Sequence, residues 1–456
     1  MDHGAGWKVD SRWKVITHSE RQFVELCFEP LGCMDDEMFL SQQNSSDLAD
    51  RRPERVRDSH ETLQTKASLE GWYARHRFMG LGYRLFGRPL LRFQDSEKAH
   101  LRSLSMLRLA ASTPPGRWML KSLYKPRRSL PVTVFGQTYA HPFGLAAGMD
   151  KNAVALNGWS ALGLAFIEIG GVTMHRQDGN PKPRMFRANQ AQALVNRMGF
   201  NNEGSEAIQA RLQAYFSRHG RPPVPLWVNL GKSKITPLED AHEDYATSMQ
   251  RLWEFTDVFV INVSSPNTPQ LRELQNDEGL TRILQACNEV NRACAEAHDA
   301  AEKPLLVKIA PDLEAQQLAM IVRTSQSEGA SGMVVSNTTV QRPDAGASSD
   351  ARVFEQAGGM SGKPLKDRST ALIQEVRALA GPDWPIVGVG GISSGRDAWE
   401  KIEAGATLLQ AYSGFVFEGP SLTKSVVSGL HRHLAEHSMS SLDDARGSRD
   451  LSGEDC

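Results

Sequence analysis

The sequence predicts an α/β fold, a (β/α)8 TIM barrel over residues 126–436, preceded by a small N-terminal helical extension. Eight short apolar runs recur at strand length, and longer amphipathic segments separate them. The runs are continuously apolar rather than alternating, as strands covered by helices on both faces must be. Eight βα units closing on themselves make a barrel.

In chain order the runs are FGLAAG (143–148), AFIEIGGVT (165–173), PLWVNLG (225–231), DVFVINVSS (257–265), PLLVKIA (304–310), GMVVSNTT (332–339), PIVGVGGI (385–392) and TLLQAYSG (407–414). Helical stretches such as AHEDYATSMQRLWEF, GLTRILQACNEVNRACAEA, DLEAQQLAMIVRTSQSEG and STALIQEVRALAG fall between them. An open doubly wound sheet would carry G-x-G-x-x-G after its first strand, where this chain reads GLAAGMDK. Just ahead of the first run, PVTVFG and QTYAHPF predict a hairpin that plugs the barrel floor. Residues 1–70 carry SQQNSSDLADRRPER without sustained periodicity and read as a weakly ordered extension with no assigned role. Residues 71–125 form the helical extension, and the polar HSMSSLDDARGSRDLSGEDC makes 437–456 a disordered tail.

Composition narrows the partners. Lys plus Arg number 52 against 53 for Asp plus Glu, so the charge balance points to a small-molecule substrate and not to nucleic acid. Five cysteines, without C-x-x-C spacing or interleaved histidines, read as reduced thiols and no metal site. No window approaches the roughly 20 apolar residues of a spanning helix, and MDHGAGWKVD lacks the apolar core of a secretory signal.

Active sites of such barrels lie at the C-terminal strand ends, and this sequence places polar residues there repeatedly. Lys151 follows the first run, Asn229 ends the third, Asn262, Ser265 and Asn267 end the fourth, and Lys308 lies in the fifth. Ser336, Asn337 and Thr338 end the sixth, Gly390 and Gly391 the seventh, Tyr412 and Ser413 the eighth. The Gly-rich turns after the last two strands expose N–H groups at helix starts, where barrels hold a phosphate. Lys308 sits among apolar neighbours in VKIAP, so its charge needs a partner. The excursion from 174 to 205, with Asn196, Asn201 and Asn202 in NRMGFNNEG, is placed to cover a substrate. Pro266 holds Ser265 extended at the rim, where its hydroxyl removes a proton if Thr268 or a water relays it. Ser264 has no assigned role.

From Phe93 to Gly429 these residues resemble the class 2, quinone-linked dihydroorotate dehydrogenases. The matching segments are GLAAGMDK, IEIGGVT, NRMGFNN, INVSSPNTPQLR, VKIAPDL, SNTT, GGMSGKPL, IVGVGGI and YSGF, in the family's order. The resemblance implies FMN as cofactor, held by Ala147, Gly148, Met149, Asp150, Lys151, Gly171, Asn229, Asn262, Lys308 and Ser336, with Gly362, Gly391, Tyr412 and Ser413 at its phosphate end. It implies that Lys151, Asn196, Asn262, Asn267, Asn337 and Thr338, with Arg197, Met198, Gly199 and Phe200 of the covering loop, grip dihydroorotate. Ser265 would be the catalytic base for the C5 proton as hydride leaves C6, with a membrane quinone as final acceptor and orotate as product. Class 1 relatives place a cysteine at the base position, and no cysteine lies between Cys33 and Cys287 here. Gly171 departs from the family, since many relatives carry a hydroxyl residue there.

The class also implies a helical piece that docks on the membrane and admits the quinone. In residues 77–110 and just before them, Phe78, Met79, Leu81, Tyr83, Leu85 and Phe86 interleave with Arg75, Arg77, Arg84 and Arg88, a basic amphipathic composition. FQDSEKAH offers Asp95 or Ser96 as the N-cap of the second helix. The N-terminus lacks the Arg-rich, acid-poor character of a mitochondrial presequence. The expected setting is a monomer peripheral to a prokaryotic cell membrane, on its cytoplasmic face.

Overall fold

Each of the eight apolar runs becomes one strand of a closed parallel barrel. The computed structural model describes residues 83–448 except 269, 345 and 347. The predicted extension 1–70, the helical segment before 83 and residues 449–456 lie outside the described residues. In chain order the strands are β1 (Val132–Val134), β2 (Gln137–Tyr139), β3 (Phe143–Leu145), β4 (Ile167–Val172), β5 (Met185–Ala188), β6 (Ala193–Asn196) and β7 (Leu226–Leu230). They continue as β8 (Val258–Asn262), β9 (Leu305–Ile309), β10 (Gly332–Val335), β11 (Gly359–Gly362), β12 (Ile386–Val389) and β13 (Leu408–Ala411). The barrel closes in the order β3, β4, β7, β8, β9, β10, β12, β13. Register sets Asn229 abreast of Gly170 and Asn262 abreast of Lys308, which brings polar side chains from separate strands to one level.

The floor is sealed as predicted. Hairpin β1–β2 turns through Phe135 and Gly136, both at positive φ (55° and 68°), the two-residue turn that matches strand twist. Phe166 stacks on Trp227 at 4.2 Å, and Tyr139 and Phe135 meet the same indole edge-on at 6.1 and 5.8 Å. Because Phe166 and Trp227 lie at the starts of β4 and β7, this aromatic cluster closes the N-terminal end and leaves the other end open.

The excursion between β4 and β7 is not a bare loop. Strands β5 and β6 form an antiparallel hairpin, and β11, more than 160 residues further on, adds as its third strand. The Asp350 carboxylate accepts from the backbone N–H groups of Asn189, Gln190 and Ala191 and so holds the hairpin's turn.

The helical extension comprises α1 (Arg88–Arg92), α2 (Ser96–Ala110) and α3 (Pro114–Tyr124). Asp95 caps α2 by accepting from Lys98 N–H at 3.0 Å. A Cβ at Gly158 would stand 2.5 Å from Leu107 Cγ, so glycine is what lets α2 approach the barrel this closely. Buried Glu97 of α2 pairs bidentately with buried Arg184 beside β5 (2.7 and 3.0 Å), fastening the extension to the covering hairpin.

Two expectations need correction. Tyr83 and Arg88 do not belong to an outward basic-aromatic face: the Tyr83 hydroxyl donates to Val416 O at 2.8 Å, and the Arg88 guanidinium lies over the Phe417 ring. Residues 437–448 are not a disordered tail. Ser441 and Asp444 form a capping box, Leu442 and Ala445 of the short helix Leu442–Ala445 are buried, and Gly447 N–H donates to Ile402 O. Two small apolar contacts and a cap suffice to hold a segment whose composition alone reads as unstructured.

Candidate active site

A cavity of about 150 Å³ opens at the C-terminal ends of the barrel strands. Barrel strand ends contribute Lys151, Asn262, Ser265, Lys308, Ser336, Asn337 and Thr338 on one side, and Gly391, Tyr412 and Ser413 on the other. The covering hairpin and the loop after it supply Asn196, Asn267's partner, together with Met198, Gly199 and Phe200. Ala147, Gly148 and Gly171 complete the predicted set that lines it.

Local sequence explains several of these placements. Ser265 precedes Pro266 and is buried, and its Oγ accepts from Asn267 N–H at 3.3 Å. Asn267 Nδ2 donates to Asn196 Oδ1 at 3.3 Å, which joins the β8 rim to the covering hairpin. Arg272 donates to Ser264 O and Thr338 O and pairs with Asp312 at 3.1 Å, tying the loops after β8, β9 and β10 together. Thr268 Oγ1 is buried with no hydrogen-bond partner among the described residues. The departure at Gly171 has a steric cause: a Cβ there would lie 2.6 Å from the Phe200 ring.

The charges are buried and coupled. Lys308 finds the partner its apolar neighbours require in Glu168 of β4, 3.9 Å away and fully buried. Glu168 also accepts from Asn229 Nδ2 at 2.8 Å and from Gln410 Nε2, so the buried carboxylate is hydrogen-bonded on both oxygens inside the barrel. Lys151 Nζ donates to Asn201 Oδ1. Burial, and then the like charge of Arg184, lower the Lys151 pKa to about 7, against the opposing pull of Glu97.

Not every predicted residue lines the cavity. The Arg197 guanidinium turns outward, stacks on the Phe186 ring and donates to Gln356 Oε1 and Pro183 O, because residue alternation along β6 sends Asn196 inward and its neighbour away. The Asp150 carboxylate is spent on the N–H groups of Val154 and Ala155, both at 2.8 Å. Met149 faces a different cavity. Asn229 lies one step behind the wall, accepting from Asn262 Nδ2 at 2.9 Å. Gly362 lines a small recess shared with Gly391 and Ser413.

That different cavity, of about 370 Å³, runs between the barrel and the helical extension. Its walls are mostly apolar: Ala99, Leu104 and Leu107 from α2, Leu120 from α3, Phe415 and Phe417 from the segment after β13. Met185, Leu194 and Tyr412 line both cavities and form the wall between them. His100 projects into the apolar side, where burial and then the charge of Lys151 lower its pKa to about 4 and keep it neutral.

Sequence reasoning missed Glu168, Met185, Leu194, Ser361 and Leu365. Glu168 was findable, since a carboxylate inside the apolar AFIEIGG run needs a partner for the same reason Lys308 does. Met185, Leu194 and Ser361 in short strands and Leu365 in the 3₁₀ turn Lys363–Leu365 carried no such signal, because apolar or small residues there read as core.

The comparisons with known proteins agree with this architecture. A protein-family model described as dihydroorotate dehydrogenase matches residues 129–434. A dihydroorotate dehydrogenase (quinone) of Gloeobacter violaceus is 45% identical over 365 residues, covering 80% of this chain and 98% of that protein. One of Deinococcus deserti is 44% identical over 368 residues, covering 80% and 99%. Among solved structures, DHODH from Eimeria tenella in complex with ferulenol superposes with a TM-score of 0.70 at 33% identity, covering 78% of this chain and 96% of that one. With the barrel, the strand-end residues and these matches all in register over the same residues, the chain belongs to the dihydroorotate dehydrogenase family.

Proposed function

We infer that the protein oxidises dihydroorotate to orotate with FMN as resident cofactor and a membrane quinone as electron acceptor, in pyrimidine biosynthesis. The observation that carries this reading is the pair of cavities: a polar one holding Ser265, Asn262, Asn267 and Lys151, and an apolar one, separated by a wall of only Met185, Leu194 and Tyr412.

The polar cavity fits a flavin by the chemistry of its donors. Gly148 and Gly391 hold positive φ (93° and 72°), conformations that leave the backbone bare to a ligand, while Lys308 supplies a buried cation beside Asn262. Ala147, Gly148, Gly171, Asn262, Lys308 and Ser336 would hold the ring and its side chain, with Gly362, Gly391, Tyr412 and Ser413 at the phosphate. When bound, FMN supplies a hydride acceptor that can pass electrons onward one or two at a time. The remaining chemistry belongs to side chains.

Ser265 Oγ takes the C5 proton of dihydroorotate. A hydroxyl is a weak base, so its burial and its fixed place before Pro266 matter more than they would for a thiol. Lys151 pairs with the substrate carboxylate, and Asn196, Asn262, Asn267, Asn337 and Thr338 satisfy the ring amides. Met198, Gly199 and Phe200 exclude water from above, whereas the Arg197 side chain takes no part.

The apolar cavity takes the quinone ring. Leu109 (74% exposed), Trp118 (71%) and Met106 lie open on α2 and α3 beside Arg108 and Arg117, a composition that seats a helix pair on an anionic lipid surface. No helix among the described residues is long and apolar enough to cross a membrane. The protein acts as a monomer on the cytoplasmic face of a prokaryotic membrane. The test is the visible spectrum of the purified protein. Dihydroorotate should bleach its flavin bands and a short-chain quinone restore them, and a spectrum that dihydroorotate leaves untouched overturns the reading.

A further inference from the structure

Ser264 is fully buried and lines neither cavity, yet it stands at the junction of the two carboxamides that face the polar one. Its hydroxyl donates to Asn262 Oδ1 at 3.0 Å and accepts from Asn337 Nδ2 at 3.0 Å. Its backbone N–H also donates to Asn262 Oδ1, at 3.3 Å. Asn262 Nδ2 donates to Asn229 Oδ1, and Asn229 Nδ2 donates to Glu168.

This chain of hydrogen bonds runs in one direction. An ionised carboxylate only accepts, so Glu168, paired with Lys308, forces Asn229 to present its nitrogen. Asn229 must then offer its oxygen to Asn262, which leaves the Asn262 oxygen facing Ser264. The serine hydroxyl gives to that oxygen and receives from Asn337 Nδ2, and together with the longer direct bond from Asn337 Nδ2 to Asn262 Oδ1 at 3.3 Å it holds the nitrogen side of Asn337 inward. The Asn337 oxygen faces the other way and accepts Thr338 N–H at 2.8 Å. What remains for a ligand is the second N–H of Asn262 and the second lone pair of the Asn337 carbonyl. A donor beside an acceptor complements a ring that offers C=O next to N–H, as a cyclic ureide does.

We propose that Ser264 is a positioning residue that holds the Asn337 carboxamide in register with Asn262, whose own direction Asn229 sets, and so selects for a ring edge with adjacent carbonyl and N–H groups. The proposal rests on the dihydroorotate reading above and deepens it. Two neutral hydrogen bonds converge on the hydroxyl, so its removal should weaken ring binding by about tenfold.

The test uses the FMN-loaded protein and orotate, whose binding perturbs the flavin spectrum. Ser264→Ala should bind orotate about tenfold more weakly and lose about the same factor in kcat/KM for dihydroorotate. FMN content, melting temperature and reoxidation of reduced flavin by quinone should stay as in the parent protein. In an Asn337→Ala background the same change should cost less than about twofold, because the carboxamide it orients is gone. Ser264→Cys, close in size and still a weak donor, should recover part of the loss. Unchanged orotate affinity in Ser264→Ala overturns the proposal, as does a full penalty in the Asn337→Ala background. A loss accompanied by FMN release or a lower melting temperature also overturns it, by making Ser264 a packing residue. Parent protein that dihydroorotate cannot reduce is a separate result, visible before any variant is made, and it counts against the function and not against Ser264.

Discussion

The two cavities share a wall and almost nothing else. The one at the barrel mouth is built from strand ends, with side chains held by several strands at once: Asn262 by Asn229 and Ser264, Asn267 by Asn196. The one beneath the helical extension is built from helix faces, and its apolar lining is held mainly by packing. The contrast separates two tasks. Proton and hydride removal needs polar groups fixed to within a few tenths of an ångström, whereas a greasy acceptor needs only shape and the absence of water. A change in one compartment should therefore leave the half-reaction of the other intact, and that independence is what experiments can attack.

The largest effect should come from Ser265→Ala. General-base catalysis contributes about 10²–10⁴-fold, so reduction of bound flavin by dihydroorotate should slow by that range in stopped-flow absorbance. Reoxidation by a short-chain quinone should keep its rate. If both half-reactions slow together, the compartments are not independent and Ser265 is not acting as a base alone.

The mirror-image change is Ala99→Trp, which fills the apolar cavity from α2, where Ala99 is buried. It should raise KM for quinone by an order of magnitude or more, about what losing 1.4 kcal/mol or more of binding costs. Flavin reduction by dihydroorotate should not change. A drop in that first half-reaction would mean that the wall at Met185, Leu194 and Tyr412 transmits strain from one side to the other.

How much of this was legible in the sequence differs between the compartments for the same physical reason. Strand ends advertise themselves: a continuous apolar run that stops in Asn, Ser or Lys is a local pattern, and Lys151, Asn262, Ser265, Lys308 and Asn337 all fell into one cavity as expected. Arg197 misled because it lies inside the NRMGFNN motif, although strand alternation next to Asn196 could have sent it outward. Asp150 misled because it lies inside the GLAAGMDK segment that carries the resemblance, and only the fold reveals that both oxygens are occupied by backbone N–H groups. The apolar cavity was legible only as an amphipathic composition. Its walls come from α2, α3, β5, β6 and the segment after β13, and no local pattern records that Leu104 and Phe417 meet the same space.

A smaller and pH-dependent effect belongs to the polar side. The Lys151 pKa is lowered to about 7, first by burial and then by Arg184, so in the unliganded site the ammonium is present below that pH and gives way to the neutral amine above it. An anionic carboxylate binds the ammonium, so above neutrality binding must take up a proton. KM for dihydroorotate should rise by up to about tenfold per pH unit above 7 until the pKa of the complex is reached. KM for quinone should stay flat over the same window. Lys151→Arg, which stays charged throughout, should abolish the rise even if it binds substrate less well at pH 6.

The smallest effect tests whether the apolar side faces lipid at all. Leu109 is 74% exposed on α2, so replacing it with alanine removes apolar surface without opening a hole in the core. If that surface sinks into the headgroup boundary, Leu109→Ala should cost about 1 kcal/mol of partitioning, roughly a fivefold weaker association with anionic vesicles in a sedimentation assay. Turnover with a water-soluble quinone should not move, since neither cavity includes this residue. Turnover with a long-chain quinone held in the vesicles should fall with the bound fraction, because the acceptor can then be reached only from the lipid. Equal vesicle binding by the variant and the parent would mean that this face of α2 does not touch the bilayer, and the apolar cavity would have to fill from solution.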